Sequence, residues 1–299
     1  MGNMEKKGRI IKSISGFYDV LDNDSHELIR TRARGNFRKR GIKPVVGDFV
    51  EYDASGDLGY ILEILPRTNS LVRPPIANVD QAIVVTSSVE PNFSSNLLDK
   101  ILVNIEHNGI DPLIYLTKTD LLDDDKYQEL KKIFDGYNRA GYVVFTDRDP
   151  YNQEQIDRLE SHFADKVTVF TGQSGAGKST LLNHINPELG LATAAISQTL
   201  NRGKHTTRQV SLFEIADGLV ADTPGFSSLE LISIEKEELP TLYPEFVEYS
   251  GECQFRGCNH VNEPGCMVKE KVADGTIMQS RYDNYLYFLN EINSYKKRY

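Results

Sequence analysis

The 299 residues are 39% hydrophobic and 26% charged, a globular composition whose length suits two or three domains. No apolar run approaches a membrane span, and the start, MGNMEKKGRIIKSISG, lacks a signal-peptide core, so the sequence reads as cytoplasmic and without a membrane partner. The net charge of −9 by itself argues against nucleic acid, yet residues 1–72 hold twelve Lys/Arg against ten Asp/Glu. Arg30, Arg32, Arg34, Arg38, Lys39, Arg40 and Lys43 crowd one stretch there, either a solvated face or a surface for a phosphate backbone.

Residues 1–72 read as all-β. Gly8–Val20 alternates loosely and breaks at Gly16, Glu27–Ala33 is a further strand, and Val46–Tyr52 and Gly59–Leu65 bracket a turn-rich Asp53–Asp57. Short strands with glycine corners over about seventy residues predict a small barrel, with an OB-fold as the leading form.

From Asn78 the pattern becomes βαβ. Ala82–Thr86 is a continuous apolar run, as for a buried parallel strand, and Ser95–His107 spaces Leu97, Leu98, Ile101, Leu102 and Ile105 as a helix does. Strand Leu113–Leu116, helix Lys126–Arg139, strand Tyr142–Phe145, helix Gln153–Phe163 and strand Val167–Phe170 follow, predicting a doubly wound parallel sheet. Gln209–Ile215 and Gly218–Ala221 read as a hairpin around Ala216-Asp217-Gly218. Beyond Gly225 come a short acidic helix at Glu235–Leu239, a Cys/His cluster and a helix over 275–295. The expected domains are 1–72, 73–228 and 229–299.

The strand Val167–Phe170 runs into Gly172-Gln173-Ser174-Gly175-Ala176-Gly177-Lys178-Ser179-Thr180, which fits G-x-x-x-x-G-K-[ST]. Glycines let backbone N–H groups turn inward around phosphates, and the following helix adds a partial positive charge. Lys178 reaches the β- and γ-phosphates and the Ser179 hydroxyl ligates Mg²⁺. Asp222-Thr223-Pro224-Gly225 closes an apolar strand forty-four residues after Lys178. Alone it could be a plain turn; there it suits an Asp that meets Mg²⁺ through water and a Gly225 N–H that meets the γ-phosphate. Thr117-Lys118-Thr119-Asp120 ends another strand. Asp120 can accept the N1–H and amine of guanine, a pair that adenine does not offer, while Lys118 lies along the base. The GTPase pattern is N-K-x-D, so Thr117 replaces part of an asparagine's hydrogen bonding, with weaker base affinity as the expected cost. Gly203–Arg208 lies where a mobile segment supplies a threonine to Mg²⁺ and the γ-phosphate, and either Thr206 or Thr207 is that threonine. Phe226 stands where Ras-like GTPases place a water-orienting glutamine, so unaided hydrolysis should be slow, with His205 the nearest replacement in sequence.

All three cysteines fall between 253 and 266, an odd set that argues against disulfides. Cys253, Cys258, His260 and Cys266 make the ligand set of a closed, structural, tetrahedral zinc site.

In Ras-like GTPases the phosphate loop precedes the base-reading motif; here the order is reversed, as a circular permutation produces. The small β-barrel, the permuted GQSGAGKS, GKHTT and DTPGF motifs and the CxxxxCxHxxxxxC segment together resemble the ribosome-small-subunit-dependent GTPases, the RsgA/YjeQ/YloQ family. The resemblance covers essentially the whole chain. It implies an OB-fold, a permuted GTPase and a helical zinc domain. It further implies hydrolysis of GTP to GDP and phosphate, stimulated by the small ribosomal subunit, and late maturation of that subunit through rRNA contacts. It implies a catalytic role for His205 beside Lys178 and Thr207. No S-A-type guanine loop is evident; Thr146-Asp147-Arg148-Asp149 fits it poorly. A P-loop kinase using ATP, and an RNA-binding assembly module whose nucleotide site only regulates affinity, are the rival readings. Nothing signals an oligomer, and a monomer is the default.

Overall fold

Ser15 and Gly16, at φ 50° and 84°, turn the chain back on itself and pair β1 (Lys6–Ile14) with β2 (Phe17–Asp22). Such two-residue turns match the natural twist of antiparallel strands. The computed structural model describes residues 5–35, 37, 41–54, 56, 58–72, 74–191, 210–222, 231 and 233–296. Arg38, Lys39 and Arg40, the stretch with His205, Thr206 and Thr207, and the stretch with Gly225 and Phe226 lie outside them, as does the Asp222 side chain. Two compact units divide the chain, one of Met1–Ala82, Asp157–Thr171 and Leu182–Ser227, the other of Ile83–Ile156, Gly172–Leu181 and Ser228–Tyr299.

In the first unit β3 (Leu28–Ala33), β4 (Phe49–Asp53) and β5 (Gly59–Ile64) complete a barrel in the order β1-β2-β3-β5-β4. β4 closes antiparallel on β1, and β3 pairs parallel with β5, the connectivity expected of an OB-fold. Ile10, Val20, Val50, Tyr52 and Ile61 fill it and are fully buried. Asp22 is buried among them and takes the Tyr52 hydroxyl, which holds its carboxyl well below the usual range. A small hairpin, β6 (Ser70–Val72) and β7 (Pro75–Ala77), follows the barrel and carries no clear signal in the sequence. The Gln209–Ala221 hairpin forms as β12 (Ser211–Ile215) and β13 (Gly218–Asp222), turning at Ala216 and Asp217 with φ 48° and 57°. β13 runs parallel to β11 (Val167–Thr171), and β12 meets β1 at Lys12 and Ser211. β8 (Gln81–Ser87) is tied to β11 at its start, where Asp80 accepts the Val167 N–H (2.7 Å) and Gln81 donates to Thr168 Oγ1 (2.8 Å).

In the second unit β8 neighbours β9 (Asp111–Thr117), and β9 runs parallel to β10 (Val143–Phe145). Helices α1 (Ser95–His107) and α2 (Asp124–Arg139) start at Ser94 and Asp123, whose side chains accept the N–H groups of Leu97 and Lys126. The helix α3 (Gln153–Glu160) and α4 (Lys178–Ile185) come next in the chain. The acidic helix expected at Glu235–Leu239 is instead a turn followed by a 3₁₀ turn at Leu239–Leu242. Pro240 lacks the N–H that would continue it. α5 (Pro244–Ser250), α6 (Met267–Ala273) and α7 (Gln279–Lys296) complete the chain.

These last helices share one core with α1. Val103, Leu239, Tyr243, Phe246, Val268, Tyr285 and Phe288 are buried together. Its polar centre is Arg281, 1% exposed, which donates from Nε and Nη2 to Glu245 (2.7 and 2.9 Å) and from Nη1 to Asp99 Oδ1 (2.8 Å). Tyr137 Oη and Asn284 Nδ2 also donate to Asp99, at 2.8 and 2.6 Å. The guanidinium lies over the Tyr243 ring, 4.5 Å from its centroid. Two carboxylates, one bidentate, thus satisfy a cation that burial alone would strongly disfavour. Burial, with Asp111 and Glu245 nearby, pushes Glu106 of α1 up to about 7.

Candidate nucleotide and metal sites

The chain leaves β11 at Thr171 and enters Gly172 at φ 133°, where a Cβ would overlap the Val85 carbonyl oxygen. Only glycine fits there. Gln173, Ser174 and Gly175 are exposed, Ala176 is buried, and Gly177 at φ 94° leads into α4. Lys178, Ser179 and Thr180 form its first turn and are half-buried. Lys178 Nζ donates to the Gly172 and Gln173 carbonyls, both at 2.8 Å, so the lysine spans its own loop. Burial lowers its pKa.

Thr117, at the end of β9, is fully buried and donates from Oγ1 to the Ala176 carbonyl at 2.6 Å, with the Thr86 carbonyl at 3.2 Å. The TKTD segment and the glycine-rich loop, 59 residues apart, are therefore joined directly. Lys118 adopts φ 60°, its carbonyl takes the Ser88 hydroxyl (2.8 Å), and its Nζ donates to the Glu90 carbonyl. Asp120 is exposed on the turn Thr119–Leu121. Arg148 braces that turn from the loop after β10, donating to the Thr119 and Leu122 carbonyls at 2.7 and 2.6 Å. Tyr151, also in that loop, brings its hydroxyl to 3.3 Å from the point where a Gly177 Cβ would lie. Burial, then the Asp120 carboxylate, raise its phenol to about 12. Asp222 ends β13 in the other unit.

The ligand atoms of Cys253, Cys258, His260 and Cys266 lie within 4.8 Å of one another. His260 Nδ1 is 3.3 Å from the Cys266 sulfur and 3.7 Å from that of Cys253. A tetrahedral zinc with bonds of about 2.3 Å to sulfur and about 2.0 Å to nitrogen holds its ligands about 3.5–3.8 Å apart, so these residues fit such an ion. Left-handed turns at Gly257, His260 and Gly265, with φ 70°, 56° and 61°, bend the segment around the cluster, and Cys266 precedes α6. Glu263 accepts the N–H groups of Asn259, Val261 and Asn262, while Tyr282 and Tyr285 donate to the carbonyls of His260 and Asn259. Burial pushes Cys266 up to about 12 and raises Cys258, whereas a divalent cation favours the thiolates.

Comparison with known proteins gives two family-model matches, the RsgA N-terminal domain over residues 7–61 and the RsgA GTPase over 64–232. The chain belongs to the RsgA GTPase family. Among curated RsgA relatives, the small ribosomal subunit biogenesis GTPase of Latilactobacillus sakei is 56% identical and that of Bacillus subtilis 52%, each alignment covering at least 98% of both chains. The solved structure of YloQ, a circularly permuted GTPase, matches with TM-score 0.84 at 48% identity, covering 99% of this chain and 97% of that one. YjeQ from Thermotoga maritima matches with TM-score 0.80 at 34% identity, over 97% and 99%. The RsgA N-terminal match spans the barrel strands, the RsgA GTPase match runs from the end of the barrel to Ile232, and the cysteine cluster lies beyond both.

Sequence reasoning missed Arg148 and Tyr151. Neither belongs to a motif, and the only signal was negative, a stretch that fits the usual guanine loop poorly.

Proposed function

We propose that this chain binds GTP with Mg²⁺, hydrolyses it to GDP and phosphate, and acts in late maturation of the small ribosomal subunit, which stimulates the hydrolysis. The direct bond from Thr117 to Ala176 is the observation that supports the nucleotide reading, because it joins the TKTD segment to the glycine-rich loop. Lys118 and Asp120 hold the base, and Gly172 to Thr180 hold the phosphates. Lys178 and the loop N–H groups meet the charge that develops on the transferred phosphoryl group. Ser179, Asp222 and Thr206 or Thr207 are the residues to hold Mg²⁺, which neutralises charge shared by the β- and γ-phosphates. His205 is the candidate to order the attacking water, and docking of the subunit completes the site where Phe226 stands. The names of the relatives support the subunit as partner and, with it, a place in the cytoplasm.

The four-ligand cluster holds one zinc ion and folds the segment around it, with no open position for chemistry. The domains follow as barrel 1–72, GTPase 73–228 and zinc domain 229–299, in a monomer. The barrel supports rRNA contact. Arg30 and Arg32 both lie over the Phe17 ring, 5.0 and 4.1 Å from its centroid, and Tyr60 is exposed beside a surface cavity of about 510 Å³ that Arg34 also lines. Cations beside aromatic faces suit both phosphates and unstacked bases.

The test is turnover of GTP and of ATP by the purified protein, with and without small ribosomal subunits. Slow GTP turnover that rises sharply with subunits is expected. GTP turnover indifferent to subunits removes the activator, and equal use of ATP removes the role of Asp120.

A further inference from the structure

An asparagine amide carries two N–H donors and an acceptor, enough to brace a phosphate loop and still donate to a base. The Thr117 hydroxyl has a single proton, and the short bond to the Ala176 carbonyl uses it. The brace survives the replacement; the donor toward the base does not. A second hydroxyl stands at the same place. A Cβ built on Gly177 would lie 3.5 Å from Thr117 Oγ1 and 3.3 Å from Tyr151 Oη, so both hydroxyls border Gly177 of the glycine-rich loop. Arg148, three residues before Tyr151, ties this loop to the Thr119 and Leu122 carbonyls, on either side of Asp120.

That placement has a chemical meaning. In guanine, O6 sits on the carbon next to N1. A group that meets O6 must therefore stand beside the carboxylate that accepts the N1–H. We infer that Tyr151 is a specificity-determining residue whose hydroxyl donates to guanine O6, supplying the base contact that Thr117 is too short and too committed to make. This rests on the GTPase reading above. The loop that carries Tyr151 is built to hold such a contact. Arg148 fastens it to the Thr119 and Leu122 carbonyls, and the Tyr151 N–H is received by Asp149 Oδ1 at 3.1 Å. A phenol that keeps its proton far above neutral pH is a donor at every working pH.

The experiment measures equilibrium affinity of the full chain for GDP, 6-thio-GDP and ADP, in the wild type and in Tyr151→Phe and Asp120→Ala. Sulfur at position 6 accepts hydrogen bonds weakly but leaves the N1–H and the amine in place. Tyr151→Phe keeps the ring, and an unchanged melting temperature confirms that packing is kept. The expected result is a roughly five- to tenfold loss of GDP affinity in Tyr151→Phe, the size of one neutral hydrogen bond, with little loss for 6-thio-GDP. Asp120→Ala should weaken both guanine nucleotides alike. An equal loss for GDP and 6-thio-GDP in Tyr151→Phe would show that the tyrosine only shapes the loop, and no loss for either would show that it does nothing to the base. Either outcome overturns the inference. A wild type that bound ADP as tightly as GDP would overturn the GTPase reading itself, and the inference with it.

Discussion

The second unit holds two clusters of candidate site residues built on opposite principles. At the nucleotide end, hydroxyls and backbone carbonyls make the joints: Thr117 to Ala176, Ser88 to Lys118, Lys178 to its own loop. Such joints are neutral or singly charged. At the metal end, three thiols and an imidazole crowd within 4.8 Å, next to a core whose centre is a buried guanidinium between two carboxylates. Those groups are favourable only as a complete set. Damage at the first end should therefore appear in binding, and damage at the second in folding.

The most severe test is aimed at the proposed zinc. Chelation, or Cys258→Ser, should unfold the segment around 253–266, because structural zinc carries on the order of 10 kcal/mol of coupled folding energy. Bound metal measured by mass spectrometry and proteolytic cleavage within that segment report it, and GDP affinity should fall far less than stability. Next, Arg281→Leu leaves Asp99 and Glu245 buried without a counter-charge and should cost about 3–5 kcal/mol in urea unfolding.

A pH test follows from Glu106, whose pKa rises from an ordinary 4.5 to about 7 in the fold. The native state then holds this proton more tightly than the unfolded chain does. Its contribution is complete below pH 4.5 and is lost as pH climbs to 7. Glu106→Gln should thus stabilise the protein by about 1–3 kcal/mol at pH 8 and by little at pH 4.5, read from melts at the two values. The smallest effect belongs to the nucleotide end. Thr117→Val removes the donor to the Ala176 carbonyl and should weaken GDP binding about tenfold, a loss near 1.4 kcal/mol, with melting nearly unchanged. A large fall in melting temperature there would erase the contrast between the two ends.

What the sequence made legible follows the same division. The phosphate loop, the TKTD segment and the cysteine cluster are local runs whose chemistry dictates their spacing, so they could be read directly. The barrel was legible through alternation and glycine corners, and the 211–222 hairpin through its turn. Arg281 was not, because its partners Glu245 and Asp99 lie 36 and 182 residues away and nothing local announces them. Tyr151 was hidden for a different reason. Its significance depends on what Thr117 has already spent its proton on, which only three dimensions reveal.

The distance from Asp99 to Arg281 is also an interval of time. At roughly 5–20 residues per second, a nascent chain makes Arg281 about 10–40 s after Asp99. Tyr137, 38 residues downstream, becomes available much sooner, so the carboxylate meets a phenol long before it meets its cation. The buried carboxylate of Asp99 gains its counter-charge only once the last helix has been synthesised. A chain that lost α7 would lack Arg281 and Asn284 together, and would keep the motifs of the nucleotide site while leaving Asp99 with only its earliest partner.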